Sequence, residues 1–404
     1  MSVQLAAWLV GGGVIACLMA LFVVILARGM EADRSKFSGA SAAALAAALP
    51  GGVLGAMLKR RVLASLSDTD DKEAAVKAGK KAGRVAAAIV GASVAAAVGA
   101  AVASDAFEER DLRRMTPIEL SAGELHGTLL SPRKNAPVVL IVPGSGPTDR
   151  DGNNPMGVRA NVYKLLAEGL AQEGIASVRV DKRGMFGSAS AGNPNDVSVE
   201  AYAADYRAWI DAIRAETGRK CVWLLGHSEG ALMVSAAAEG RKDVCGLILV
   251  SGMGRKMGDI IRAQLQANPA NAPLLGEAFA ALDDLEAGRR TDTSHMHPAL
   301  LPLFAPQVQD FLITVLATDP VDAVRRAGVK TLIVQGTTDL QVTEEDARLL
   351  NKAPRTRMEI IRGMNHILKE APMERAANLA TYTNPDLPLH PKLVREIEDF
   401  IKDD

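Results

Sequence analysis

Hydrophobic and polar positions follow two different rhythms along this chain of 404 residues. From about residue 111 onward, short apolar runs rich in β-branched residues alternate with longer stretches whose apolar positions recur every three or four residues. That alternation predicts a mostly parallel sheet covered by helices on both faces. Ile118 to Leu120 and Leu125 to Leu130 read as an opening hairpin; Val138 to Val142, Ala176 to Val180, Val222 to Leu225, Leu247 to Val250, Thr331 to Val334 and Met358 to Ile361 read as parallel strands. Helices are expected at Val158 to Glu173, Glu200 to Ala215, Gly230 to Glu239, Glu344 to Lys352 and Pro391 to Lys402. Gly254 to Val329 is too long for a simple crossover and carries helical patterns at Ile260 to Gln266, Leu275 to Ala287 and Val308 to Ala317, which predicts a lid.

Residues 1–110 are patterned differently, as a membrane-anchoring helical region. Val3 to Ala27 holds no charged residue, and about 25 residues at a rise of 1.5 Å cross a hydrocarbon core about 30 Å thick. A cleaved signal peptide is the competing reading, but no Lys or Arg precedes the run and it is longer than a typical signal core. A second uncharged stretch, Val85 to Ser104, is Ala- and Gly-rich and only marginally hydrophobic, so a soluble helix is its alternative. Small residues recur there every fourth position, and Gly91, Ala95 and Gly99 offer a face for close helix-helix self-association. Ser38 to Met57, broken by Pro50-Gly51-Gly52, fits a span, a re-entrant piece or an interfacial helix.

Charge orients these segments. Eleven Lys and Arg lie between Arg28 and Arg84, against three (Arg110, Arg113, Arg114) just after the second run, which makes the loop from Lys59 to Arg84 cytoplasmic. If Val85 to Ser104 spans, the downstream domain, residues 111–404, is extracytoplasmic, on the periplasmic side; if it does not, that domain is cytoplasmic. The whole chain carries a net charge of −1 with balanced acids and bases, so nothing points to nucleic acid. Three cysteines, Cys17, Cys221 and Cys245, are too few and too scattered for a disulfide scaffold or a thiolate zinc site. Cys221 and Cys245 precede neighbouring strands, and two buried thiols are the expected state, with a disulfide the alternative in an oxidising compartment.

The chemistry concentrates at Gly226-His227-Ser228-Glu229-Gly230, directly after an apolar run and directly before a helical stretch. A G-x-S-x-G pentapeptide at a strand-to-helix junction is a nucleophile elbow, because so tight a turn needs neighbours without Cβ atoms. Upstream stand Val142-Pro143-Gly144-Ser145-Gly146-Pro147-Thr148-Asp149-Arg150-Asp151-Gly152 and Asp181-Lys182-Arg183-Gly184. In these motifs and their order, residues 115–404 resemble the α/β-hydrolases grouped with serine aminopeptidase-like and dienelactone hydrolase-like esterases.

The resemblance implies an α/β-hydrolase fold: an eight-stranded, mostly parallel sheet with helices on both faces and a helical lid, here preceded by the membrane module. It also implies roles. Ser228 is the nucleophile; His366, in the loop after the last strand, is its base; Asp339, at the end of the strand before, orients the imidazole. The oxyanion donors fall to the backbone amides of Glu229 and Ser145, where Pro143-Gly144 replaces the more usual histidine-glycine start. Asp346 is a structural alternative to Asp339, and His227, His126 and His390 read as structural. Asp149, Arg150 and Asp151 are expected to clamp the glycine-rich loop rather than to touch substrate. In the lid, Leu300, Leu303, Phe304 and Phe311 either wall an acyl pocket or form ordinary core. His295 and His297 make a lone H-x-H, too weak for a metal site, and no cofactor is expected. The leading function is a membrane-anchored serine hydrolase of carboxylic esters; a peptidase or thioesterase with the same triad, or a non-catalytic membrane scaffold, are the alternatives.

Overall fold

The computed structural model describes residues 115–403. The spans at 3–27, 38–57 and 85–104, the helix-packing face and the boundary near residue 110 lie outside the described residues. Eight strands form one sheet: β1 (Ile118–Ala122), β2 (Leu125–Leu130), β3 (Val138–Val142), β4 (Ala176–Val180), β5 (Val222–His227), β6 (Val244–Val250), β7 (Thr331–Gly336) and β8 (Thr356–Ile361). Their spatial order is β1-β2-β4-β3-β5-β6-β7-β8. β2 pairs antiparallel with β1 and β4, and every other pair is parallel.

The central strands are apolar throughout because both faces are covered. Along β3, Val138, Leu140 and Val142 enter one core and Val139 and Ile141 the other. The first core is closed by α2 (Val199–Thr217) and α3 (Glu229–Ala238), the second by α1 (Val162–Gln172) and, last in the chain, Pro391–Lys402. α2 begins at an N-cap serine, Ser198, whose side chain accepts from the Ala201 amide, and stops at Gly218 in the left-handed region. α1 starts four residues later than the hydropathy pattern predicts. Val158–Arg159 pairs with Asn153–Asn154 in a small ribbon, and the Asn153 side chain accepts the amides of Ala160 and Asn161 at 3.1 Å, which holds this segment out of the helix.

Between β6 and β7 lie α4 (Met257–Gln266), α5 (Leu275–Glu286), α6 (Leu301–Phe304), α7 (Gln309–Leu316) and α8 (Pro320–Ala327). The first four share an apolar core of their own. α8 does not belong to it: Ala323, Val324 and Ala327 pack into the main core beside α3, so the lid proper ends before Pro320. Its boundaries carried readable signals, Asp319 capping the Val321 and Asp322 amides, Pro320 in the first turn and Gly328 after the last. Downstream follow α9 (Glu344–Leu350), α10 (Arg375–Ala380) and α11 (Pro391–Lys402). Among the described residues no single helix is long and apolar enough to cross a membrane.

Cys221 and Cys245 are disulfide-bonded, which corrects the expectation of two buried thiols; both are only partly buried. The reason is a bulge. Val222 pairs with Val244 but Trp223 with Gly246, so Cys245 is an extra residue on β6, and a bulge re-aims the side chain it carries.

Candidate active site

β3 is followed in the sheet on one side by β4 and on the other by β5, so the chain changes direction across the sheet between β3 and β5. Loops at the carboxyl ends of strands flanking such a switch point diverge and leave a crevice. Ser228 and the Gly144-Ser145 loop meet there: a Cβ added at Gly144 would lie 3.0 Å from Ser228 Cβ.

Ser228 holds φ 56° and ψ −123°, a conformation that costs on the order of 1–3 kcal/mol in a residue with a side chain. Packing imposes it. A Cβ at Gly226 would sit 2.3 Å from the Gly230 carbonyl oxygen, and one at Gly230 would sit 2.7 Å from those of Val142 and Pro143. Only glycines let β5, α3 and the end of β3 approach so closely around the serine. The Ser228 amide donates to Val250 O at 3.0 Å, tying the turn to β6.

Asp339 and His366 come together as their sequence positions imply. His366 Nδ1 lies 2.8 Å from Asp339 Oδ2, and both residues are buried. The other carboxylate oxygen accepts the amides of Gln341 and Val342 at 2.8 and 3.0 Å, and Gln335 Nε2 donates to Oδ2 at 3.3 Å. Burial pushes this carboxyl up, but the nearby His366, its hydrogen bond and the two amides outweigh that and hold it below its ordinary value. An acceptor-only carboxylate takes its hydrogen bond from Nδ1–H of His366, which leaves Nε2 outside that contact.

The two loops bearing these residues are locked together. A Cβ at Gly336 would lie 2.0 Å from Met364 O, so the segments after β7 and β8 touch backbone to backbone. Asn365 Nδ2 donates to Thr381 Oγ1 at 2.8 Å, and Asn378 Nδ2 donates to Thr338 O and Pro372 O, each at 2.8 Å.

His227, expected to be structural, has a definite task. Its Nε2 is 2.8 Å from His366 O and its Nδ1 is 2.8 Å from Tyr163 Oη, which in turn accepts the Gly144 amide at 3.2 Å. Burial, with His366 beside it, pulls the His227 imidazole down to about 3. The ring is therefore neutral: Nε2–H donates to the carbonyl and Nδ1 accepts from the tyrosine. One hydrogen-bonded line thus runs from the glycine-rich loop, under the elbow, to the histidine loop. Tyr163, Asn365 and Asn378 went unassigned in the sequence, since the partners that join them to other loops, Gly144, Thr381 and Thr338, lie 19, 16 and 40 residues away along the chain.

The remaining predicted residues separate cleanly. Arg150 donates from N and Nε to Asp181 at 2.9 and 2.8 Å and from Nη1 to Glu119 and Thr128, while Asp151 pairs with Arg179. Asp149 Oδ1 accepts the amides of Asp151 and Asn153. These residues clamp the loop. Asp346 lies away from His366: it caps α9 and accepts from the Gly254 and Arg255 amides and the Arg255 guanidinium, pinning the first residues of the lid. His390 caps α11 through the Lys392 amide, and His126 Nδ1 lies 3.4 Å from the Ser121 hydroxyl across the opening hairpin.

In the lid, packing decides. Leu300 and Phe304 are buried in its own core and Leu303 lies against it. Phe311 faces the hydrolase core instead, its ring edge-on to Tyr202 at 5.7 Å. His297 Nδ1 accepts the Ala299 amide, and among the described residues no group of three or more His, Cys, Asp or Glu is placed to hold a metal ion.

Residues 139–381 match the profile of a family described as the alpha/beta hydrolase family. Among curated proteins, the chain is similar to esterase EstD of Thermotoga maritima, with 25% identity over 287 residues, 67% of this chain and 63% of that protein, so the match spans less than two thirds of that relative. Among solved structures, it is similar to Est1E from Butyrivibrio proteoclasticus, with 16% identity, 71% of this chain and 98% of that chain covered and a TM-score of 0.44. It is likewise similar to a thermophilic esterase from Thermogutta terrifontis, with 19% identity, the same coverages of 71% and 98%, and a TM-score of 0.42. The profile match runs from β3 through the elbow to beyond His366, more than half of the sequence, and the chain belongs to the alpha/beta hydrolase family.

Proposed function

We propose that this protein hydrolyses carboxylic esters through a triad of Ser228, His366 and Asp339. The observation that carries this reading is the 2.8 Å contact of His366 Nδ1 with a buried, fully hydrogen-bonded Asp339, together with a serine held in a strained elbow whose preceding residue, His227, is hydrogen-bonded to His366 O. Ser228 Oγ attacks the acyl carbonyl while His366 Nε2 takes its proton, and the tetrahedral oxyanion is received by the amides of Ser145 and Glu229. The Glu229 amide is in the first turn of α3, where backbone N–H groups have no intrahelical acceptor. Collapse of the intermediate expels the alcohol, protonated by His366, and water then releases the acid by the same steps. The similarity to an esterase supports an ester as the substrate class.

The same reading extends to the cell. We propose that the segments at 3–27 and 85–104 anchor the chain in a membrane, with the catalytic domain on the outer, periplasmic side. Two observations support this: the basic residues concentrated between Arg28 and Arg84, and the Cys221–Cys245 disulfide, since such bonds persist in oxidising compartments.

The test is labelling with a fluorophosphonate probe followed by a panel of matched ester, thioester and aminoacyl-amide substrates. Wild type is expected to be labelled and to turn over esters fastest, and Ser228→Ala to lose labelling and at least about 10⁴-fold in kcat. A folded wild type that resists the probe refutes the triad; preference for thioester or amide reassigns the substrate class.

A further inference from the structure

Lys182 is the second residue of the D-K-R-G motif after β4 and is only 5% exposed, yet neither its motif nor the triad gives it a role. Its Nζ donates to Gly144 O at 2.9 Å. Its charge also faces Glu229, likewise 5% exposed, whose carboxyl is hydrogen-bonded by Ser145. The Tyr202 ring lies 5.9 Å away. A buried lysine is thus placed against the two residues whose amides would bind the oxyanion.

Peptide geometry gives this placement a consequence. The Gly144–Ser145 peptide is planar and trans, so its carbonyl and its N–H point in opposite directions. Whatever holds Gly144 O sets the direction of the Ser145 N–H. On its other side, Gly144 is held by its own amide donating to Tyr163 Oη at 3.2 Å. We infer that Lys182 is a positioning residue for the oxyanion hole: by gripping Gly144 O it prevents the Gly144–Ser145 peptide from flipping, and aims the Ser145 amide at the carbonyl attacked by Ser228. Donation into the carbonyl also polarises the peptide and makes its N–H a stronger donor. Glu229 lies near enough for its charge to act on the ammonium, and its carboxyl receives the Ser145 hydroxyl. Burial lowers Lys182 and raises Glu229 from their ordinary values, as expected of two groups withdrawn from water together.

This inference rests on the serine hydrolase reading, and the experiment separates the two. In full-length protein, kcat and KM for p-nitrophenyl acetate and the Ki of a trifluoromethyl ketone, which forms an oxyanion on the serine, are compared for wild type, Lys182→Met, Glu229→Gln and the double variant. Lys182→Met is expected to lower kcat about 10²-fold, the usual cost of losing one oxyanion donor, with KM within about threefold and the ketone weakened by the same factor as kcat. That single variant also strands a buried carboxyl and is less stable or fails to fold. The double variant strands no charge, only the Gly144 carbonyl that loses its donor: it is expected to regain part of the lost thermal stability while kcat and ketone affinity stay about 10²-fold below Glu229→Gln. A double variant whose kcat and ketone affinity match Glu229→Gln shows that Lys182 only neutralises Glu229, and overturns the aiming role while the triad stands. Wild type that is inactive and unlabelled by fluorophosphonate overturns the triad and this inference together.

Discussion

At the residue scale, the site depends on side chains held in one protonation state. His227 is the clearest case, because it touches His366 O from beneath while its own ring is pulled from an ordinary 6.5 down to about 3. Between those two values the unfolded chain binds a proton at this position and the folded chain does not. Stability therefore falls as pH drops from about 6.5 towards 3, by at most about 1.4 kcal/mol per pH unit from this group. His227→Asn removes the titration. Urea unfolding between pH 6.5 and 4 is expected to show a shallower loss of stability in the variant than in wild type, and equal slopes would mean that His227 is already protonated when folded. His227 sits inside the pentapeptide that announces the nucleophile, and yet its task was unreadable there. The residues it joins, Tyr163 and His366, are 64 and 139 positions away.

At the scale of elements, β5 and β6 carry the nucleophile between them, since the Ser228 amide is bonded to the end of β6. The Cys221–Cys245 bond fastens the opposite ends of the same two strands. Its loop spans a sequence separation of 24, for which lost chain entropy in the unfolded state corresponds to about 3 kcal/mol. Cys221→Ser/Cys245→Ser, or reduction of wild type, is expected to lower Tm by several degrees while kcat of the folded enzyme changes little, because the bond lies at the far end of the strands from Ser228. Unchanged Tm on reduction would mean that the thiols are unpaired in solution. Most strands were readable from their apolar runs, and apolar periodicity placed α2 to within two residues at each end. The bulge on β6 was not readable, as nothing local distinguishes Cys245 from a residue in register.

At the scale of the whole molecule, the lid and the proposed membrane segments bear on what reaches Ser228 and where. The lid has its own core and is pinned at its start by Asp346, read from the sequence as a structural alternative to Asp339, whose hydrogen bonds cap α9 and hold Gly254 and Arg255. Anchoring by the first hundred residues, with catalysis on the outer side, predicts that protease added to intact spheroplasts cleaves the C-terminal domain and that fluorophosphonates excluded by the inner membrane still label Ser228. Protection from both would place the domain in the cytoplasm.

What the sequence alone determined was the fold class, most of the strands and the glycine-flanked turn at Ser228, with Asp339 and His366 proposed through the resemblance. These are written locally: in apolar periodicity, in glycines demanded by a turn, and in the succession of loops after strands. Tertiary structure alone decided the cysteine pairing, the burial of Leu300 and Phe304 within the lid, and the Gly144–Tyr163–His227–His366 line with Lys182 beside it. The physical reason is shared by all of them. A hydrogen bond, a disulfide or a packed ring is a relation between groups distant in the chain, and the distance between two such groups exists only once the sheet has set the register of its strands.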